Sequence, residues 1–144
     1  YGFSPLVETF RATTGGEKGG NQVRFPNAWI ANMMSFNIRV TQYTDSRLYE
    51  GMFYGYAYTD GKWYNTYMMD GAHNSELVFK AGAGTDGCAT VLFRWVNDTN
   101  VSSFPMIDIY NFSCGYVGTG WDPSQIVISV TEKPNWNYVA YPLK

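Results

Sequence analysis

At 144 residues the chain is long enough for one domain with a sizeable core, and nothing in it marks an internal boundary or a repeat. Its net charge of −2 and ten scattered Lys and Arg give no basic face for nucleic acid, and no apolar run reaches the ~18 residues that membrane insertion by a helix requires. Aromatic residues make up 18% and charged residues only 15%, against ~25% charged in an ordinary domain, so the chain carries more ring surface than a lone monomer hides.

The first residues, Tyr1 and Gly2, open a polar, strand-like segment rather than a signal peptide, as in a piece of something longer. Leu6 to Thr13 reads as a strand, Gly15 to Gly20 as an open flexible loop, and Asn21 to Phe25 as extended structure again. Pro26-Asn27 then turns the chain. Asn32 to Tyr43 is the clearest strand: Met34, Phe36, Ile38 and Val40 alternate with Ser35, Asn37, Arg39 and Thr41, which is period two. After a polar loop at Thr44 to Arg47, the run from Gly51 to Met69 alternates on both sides of Asp60-Gly61.

Asp-Gly between alternating runs predicts a two-residue hairpin turn, since both central residues take positive φ. That register sets Tyr58 opposite Trp63, Ala57 opposite Tyr64 and Tyr54 opposite Tyr67. Tyr54, Tyr56, Tyr58, Trp63 and Tyr67 then share one aromatic face, with Phe53, Gly55, Ala57, Tyr64, Thr66 and Met68 on the other. Such a face either packs in the core or against a neighbouring subunit, or it serves as a flat platform for a ligand.

Ala72 to Ser75 bridges to a strand at Glu76 to Ala81, and a glycine-rich link from Gly82 to Gly87 follows. Cys88 to Val96 reads as a strand with Ala89, Val91, Phe93 and Trp95 on one face. Asn97 to Phe104 is a polar loop, and Met106 to Cys114 is a strand carrying Asp108 on a face with Met106, Tyr110 and Phe112. Tyr116 to Pro123 is a Gly-rich loop. Gln125 to Thr131 and Tyr138 to Tyr141 are extended. Strands every ~8–12 residues without a helical period predict an all-β chain in the pattern of a β-sandwich or barrel, here taken as an antiparallel β-sandwich of jelly-roll type and one domain over 1–144.

Catalytic signals are thin. His73 is the only histidine and falls in a predicted loop; neither Cys88 nor Cys114 has a basic neighbour in sequence, and both read as free thiols. Asp60, Asp70 and Asp86 each precede glycine, which turn chemistry explains, and Asp108 either pairs with Arg39 or Arg94, faces outward, or lines a pocket. No zinc cluster is spelled out, a calcium site from Asp86 and Asp98 lacks ordered spacing, and no cofactor or metal is expected. Of three sequons, at Asn97, Asn100 and Asn111, the last lies within a predicted strand. Five Trp, twelve Tyr and loops rich in Asn, Asp, Thr and Ser favour binding over chemistry, because rings cover the apolar faces of sugars and amides meet their hydroxyls.

The run from Met34 to Thr131 resembles the C-terminal head or tip domain of bacteriophage tail fibres. Its landmarks are Phe36-Asn37-Ile38-Arg39-Val40, Gly55-Tyr56-Ala57-Tyr58, Gly61-Lys62-Trp63-Tyr64-Asn65, Asp86-Gly87-Cys88, Phe104-Pro105-Met106-Ile107 and Gly120-Trp121 before Ile126 to Thr131. The resemblance implies a homotrimeric β-rich knob on a virion fibre, with Trp63 and Trp121 in the scaffold; residues 1–31 lie outside the match and are expected, from the opening at Tyr1, at the junction to a shaft. It implies attachment to a bacterial surface receptor: lipopolysaccharide, capsule or an outer-membrane protein. The segments expected to make contact are Thr44–Arg47, Asp70–Ser75, Asn97–Ser103 and Tyr116–Asp122, since loops on a rigid scaffold carry recognition. Within them or near them stand Tyr64, Tyr67, His73, Asn97, Asn100, Tyr116 and Trp136 as candidate ligand-binding residues. The alternatives are a monomeric carbohydrate-binding module or lectin domain of a secreted protein, and a small polysaccharide-degrading enzyme.

Overall fold

A computed structural model describes residues 8–11, 17–18, 20–26, 28–42, 46–84, 86–95, 101–102, 105–115, 125–131 and 140–142. Their strands are β1 (Glu8–Arg11), β2 (Glu17–Lys18), β3 (Gly20–Phe25), β4 (Asn32–Gln42), β5 (Arg47–Ala57), β6 (Trp63–His73), β7 (Leu77–Ala83), β8 (Ala89–Trp95), β9 (Val101–Ser102), β10 (Pro105–Gly115), β11 (Val127–Thr131) and β12 (Ala140–Pro142). Two five-stranded antiparallel sheets, ordered β1-β10-β4-β5-β6 and β11-β3-β8-β7-β12, pack as a sandwich, and β2 pairs with β9 apart from them. Two predicted loops, Gly15 to Gly20 and Asn97 to Phe104, therefore each contain a short strand. Both β1 and β3 sit within the main sheets. Among the described residues no helix is long and apolar enough to cross a membrane.

The core follows the period-two pattern. Met34, Phe36, Ile38 and Val40 of β4 are buried, as are Val91, Phe93 and Trp95 of β8. Phe36 stacks on Phe53 and Phe112 at 5.0 and 6.0 Å between ring centroids, and it meets Phe25 of the second sheet at 5.8 Å. Rings that interlock at these separations fix the two sheets in place as well as excluding water.

The central hairpin differs from its predicted form. The turn is not the two-residue type: Ala57 pairs with Trp63, Tyr58 donates its amide to the Lys62 carbonyl, and the Gly61 amide reaches the Tyr58 carbonyl. Asp60 caps the Lys62 amide at 3.0 Å, and Gly61 takes φ +76°. This is a three-residue loop ending in a left-handed glycine. The loop between β7 and β8 repeats it, with Gly84 and Cys88 flanking, Asp86 capping Cys88 and Gly87 at φ +84°. Both loops read Thr-Asp-Gly in the sequence.

The longer loop shifts register by one residue, which exchanges faces over the first part of β6. Trp63 enters the core at 4% exposure, with its indole N–H donating 2.8 Å to the Gly82 carbonyl. Its ring lies edge-on to Phe25, Trp29 and Phe53. Tyr64 moves outward to pair with Tyr56. Asn65, at φ +54°, is the extra residue that restores the predicted pairing of Tyr54 with Tyr67. Gly55 is required beside Trp63, since a Cβ there would stand 2.8 Å from the Phe53 ring and 2.9 Å from the indole.

A second bulge corrects β10. Asn111 at φ +52° interrupts the register between Tyr110 and Ser113 and turns Phe112 into the core, away from the face of Tyr110 on which it was expected. Asp108 does pair with Arg39, at 3.0 Å. Cys88 and Cys114 are free and half-buried, and burial raises the Cys114 thiol above its ordinary pKa.

Candidate functional site

At one end of the sandwich the ends of β4, β5, β6, β7 and β8 lie together, because Gln42 pairs with Arg47, Tyr49 with His73 and Leu77 with Trp95. Asn74 ties the end into one unit. Its carboxamide oxygen accepts from the Leu48 amide at 2.7 Å, its NH₂ donates to the Ser46 carbonyl at 2.9 Å, and its own amide donates to the Leu48 carbonyl at 3.0 Å. Ser46, from the segment expected at Thr44–Arg47, and Asn74, from the one expected at Asp70–Ser75, thus meet, while Thr44 and Asp45 lie outside the described residues. The second segment is less of a loop than its sequence indicates, since β6 runs on to His73 past a bulge at Gly71 and Ala72.

Between these segments is a cavity of about 300 Å³ lined by Arg47, Asn74, Ser75, Glu76 and Trp95. The Trp95 ring is held from behind, where its N–H donates 3.0 Å to the Gln42 side chain, and the Arg47 guanidinium stands 5.7 Å from the ring centroid. The lining combines a ring wall with a guanidinium, a carboxylate, a hydroxyl and an amide. Such a set suits a small ligand with an apolar face and hydroxyls or charge at its rim. Among the described lining residues Glu76 is the one carboxylate, whereas hydrolysis across a glycosidic bond takes two.

Beside the cavity, Tyr49 is buried and donates its hydroxyl to Asp70 at 2.5 Å. Burial, reinforced by the neighbouring carboxylate, raises this phenol well above its ordinary pKa, so it stays a neutral donor. The His73 ring is 5.8 Å from that of Tyr49, and its Nδ1 lies 2.9 Å from the Gly71 carbonyl.

The candidate residues do not form one cluster. His73 adjoins the cavity, while Tyr67 and Tyr64 are on the outer face of β6, six and nine residues away along an extended strand, or about 20 and 30 Å. Asn97, Asn100, Tyr116 and Trp136 lie outside the described residues, as do Trp121 and Asp98. Asp86 is engaged by Arg24 and by the Cys88 amide.

Comparisons with family models, with curated proteins and with solved structures give no match.

Sequence reasoning missed Glu76 and Trp95 as lining residues. Trp95 was legible only as a core residue, which it also is, at 3% exposure. The signal that could have exposed the site is Asn74-Ser75 between two strands, since a turn asparagine tends to bond local backbone.

Proposed function

We propose that the chain is a receptor-binding tip, in which a β-sandwich presents the Arg47–Glu76–Trp95 end to a bacterial surface as a homotrimeric knob on a virion fibre. The observation that carries this reading is that Arg47, from one expected recognition segment, and Asn74 and Ser75, from the other, line one polar, ring-walled cavity. A cavity of about 300 Å³ takes one sugar unit or one short side chain, so each site binds weakly and several copies supply avidity. Lipopolysaccharide or capsule fits the mixture of ring wall, guanidinium and carboxylate better than a flat protein surface does. The resemblance of Met34 to Thr131 to tail-fibre tips points the same way.

The test is binding of the purified chain to panels of bacterial cells with and without their surface polysaccharide. Capture by some strains, lost on stripping the glycan, supports the reading. Capture by no strain under varied conditions, or release of reducing ends from the polysaccharide, overturns it.

A further inference from the structure

The outer face of the β10-β4-β5-β6 sheet is ordered in cross-strand rows. One row is Gly115, Met33, Tyr56, Tyr64; the next is Ser113, Ser35, Tyr54, Tyr67; the third is Tyr110, Asn37, Met52, Met69. None of these twelve positions bears a charge. The row beyond them is Asp108, Arg39, Glu50, where Arg39 pairs with Asp108 and lies over the Tyr110 ring, and Tyr110 donates its hydroxyl to Glu50. A ring-and-thioether field thus ends at a charged border. Interface centres have this composition, rich in Tyr and Met and poor in Lys, Glu and Asp, with a polar rim.

Met33, Met52, Tyr58, Tyr64, Tyr67 and Met69 are 37% to 50% exposed. At about 200 Å² for each whole side chain they leave on the order of 500 Å² of largely apolar surface uncovered. The half-buried Tyr54 and Tyr56 and the polar Asn37, Ser35 and Ser113 extend that field toward the ~800 Å² per partner of a stable interface. The neighbouring edge offers a different outcome. β6 is the edge strand of its sheet, but the bulges at Asn65 and at Gly71-Ala72 interrupt its ladder, and such breaks oppose edge-to-edge pairing. The sheet is therefore protected at its rim and open on its face.

We infer that copies of this chain associate through the Met33–Tyr54–Tyr67–Met69 face, packed around the symmetry axis of the knob, with the Arg47–Glu76 end left free. The inference rests on the proposed homotrimer and names the surface that forms it. A closed three-fold arrangement brings the same patch of each chain to the axis, which hides the rings without chaining molecules into filaments.

Sedimentation equilibrium of the chain and its variants tests this. The wild type is expected at about three times the 16.3 kDa chain mass. Met69→Lys and Tyr67→Lys, both at exposed positions, are expected to sediment as monomers with unchanged circular dichroism, and Tyr67→Ala to weaken association at least tenfold. Arg47→Ala, at the cavity, is expected to keep the wild-type mass. An oligomer that survives both lysine variants overturns the inferred face and leaves the proposed receptor-binding role standing. A wild type monomeric at all concentrations overturns both the face and the trimer. A monomer whose glycan binding is lost in Tyr67→Lys overturns the inference in favour of a ligand platform.

Discussion

Trp63 decides which way the central hairpin faces, and Trp63→Phe measures it. The substitution removes an indole N–H that donates to the Gly82 carbonyl at 2.8 Å inside the core. A buried acceptor left without its partner costs about 1–3 kcal/mol. The smaller ring also withdraws from Phe25, Trp29 and Phe53, whose centroids lie 5.5–6.0 Å from it, which adds about 1 kcal/mol for packing lost around a modest void. The expected total is about 2–4 kcal/mol, and Trp63→Ala should reach about 3–5 kcal/mol. Tyr58→Ala, at an exposed position on the loop, should stay within about 0.5 kcal/mol. Urea denaturation followed by circular dichroism gives each value from the midpoint at constant m. A two-residue turn would put Trp63 beside Tyr58 on the outer face, and the ranking would invert. A cost below about 1 kcal/mol for Trp63→Phe, with a larger one for Tyr58→Ala, would refute the register.

Further expectations concern buried groups and the cavity end. Because the Tyr49 phenol titrates above its unfolded value of about 10, the native state holds its proton longer; its contribution is complete below pH ~10 and is lost as the pH rises beyond it. Denaturation at pH 9 to 11 should show a steeper loss in the wild type than in Tyr49→Phe, and equal slopes would contradict the assignment. Asn74→Ala removes both side-chain bonds that join Ser46 and Leu48 to the β6–β7 connection and should cost about 1–2 kcal/mol, with faster amide exchange at Leu48. The Cys114 thiol, raised by burial, should react with iodoacetamide far more slowly in the native chain than in urea at the same pH, as mass spectrometry would show.

Gly55→Ala should destabilise by about 1–3 kcal/mol, because the added Cβ meets the Phe53 and Trp63 rings at 2.8–2.9 Å; pairing it with Trp63→Ala should recover part of that loss in a double-mutant cycle.

Where a side chain's place follows from alternation alone, the sequence was sufficient. β4 is such a case: Met34, Phe36, Ile38 and Val40 all fall on the core side, as their spacing predicts. Alternation fails wherever one residue is inserted, and the exchanged faces trace to two insertions, at the Thr59-Asp60-Gly61 loop and at Asn111. The Thr59-Asp60-Gly61 loop adds a residue that Asp-Gly alone does not announce, so Trp63 and Tyr64 exchange faces. Asn111 and Asn65 hold left-handed backbone inside strands, which the bare pattern of rings cannot reveal, although asparagine is among the few residues that tolerate it. The cavity was half legible. Its Arg47, Asn74 and Ser75 lie in segments chosen for their polar, turn-forming residues, but Glu76 and Trp95 join them through pairing of β7 with β8, a relation between distant parts of the chain. Tyr64 and Tyr67, expected within reach of the contact segments, lie on the sheet face, where the bulges beside them set which side each ring takes.

The most direct measurement is saturation binding of fluorescently labelled chain to cells of a strain that captures it, comparing the wild type with Arg47→Ala and Glu76→Gln at matched oligomeric mass. A tenfold or greater loss of affinity in both variants, with folding and mass unchanged, is the predicted result. Full binding by both would remove the cavity end from recognition and contradict the proposed function.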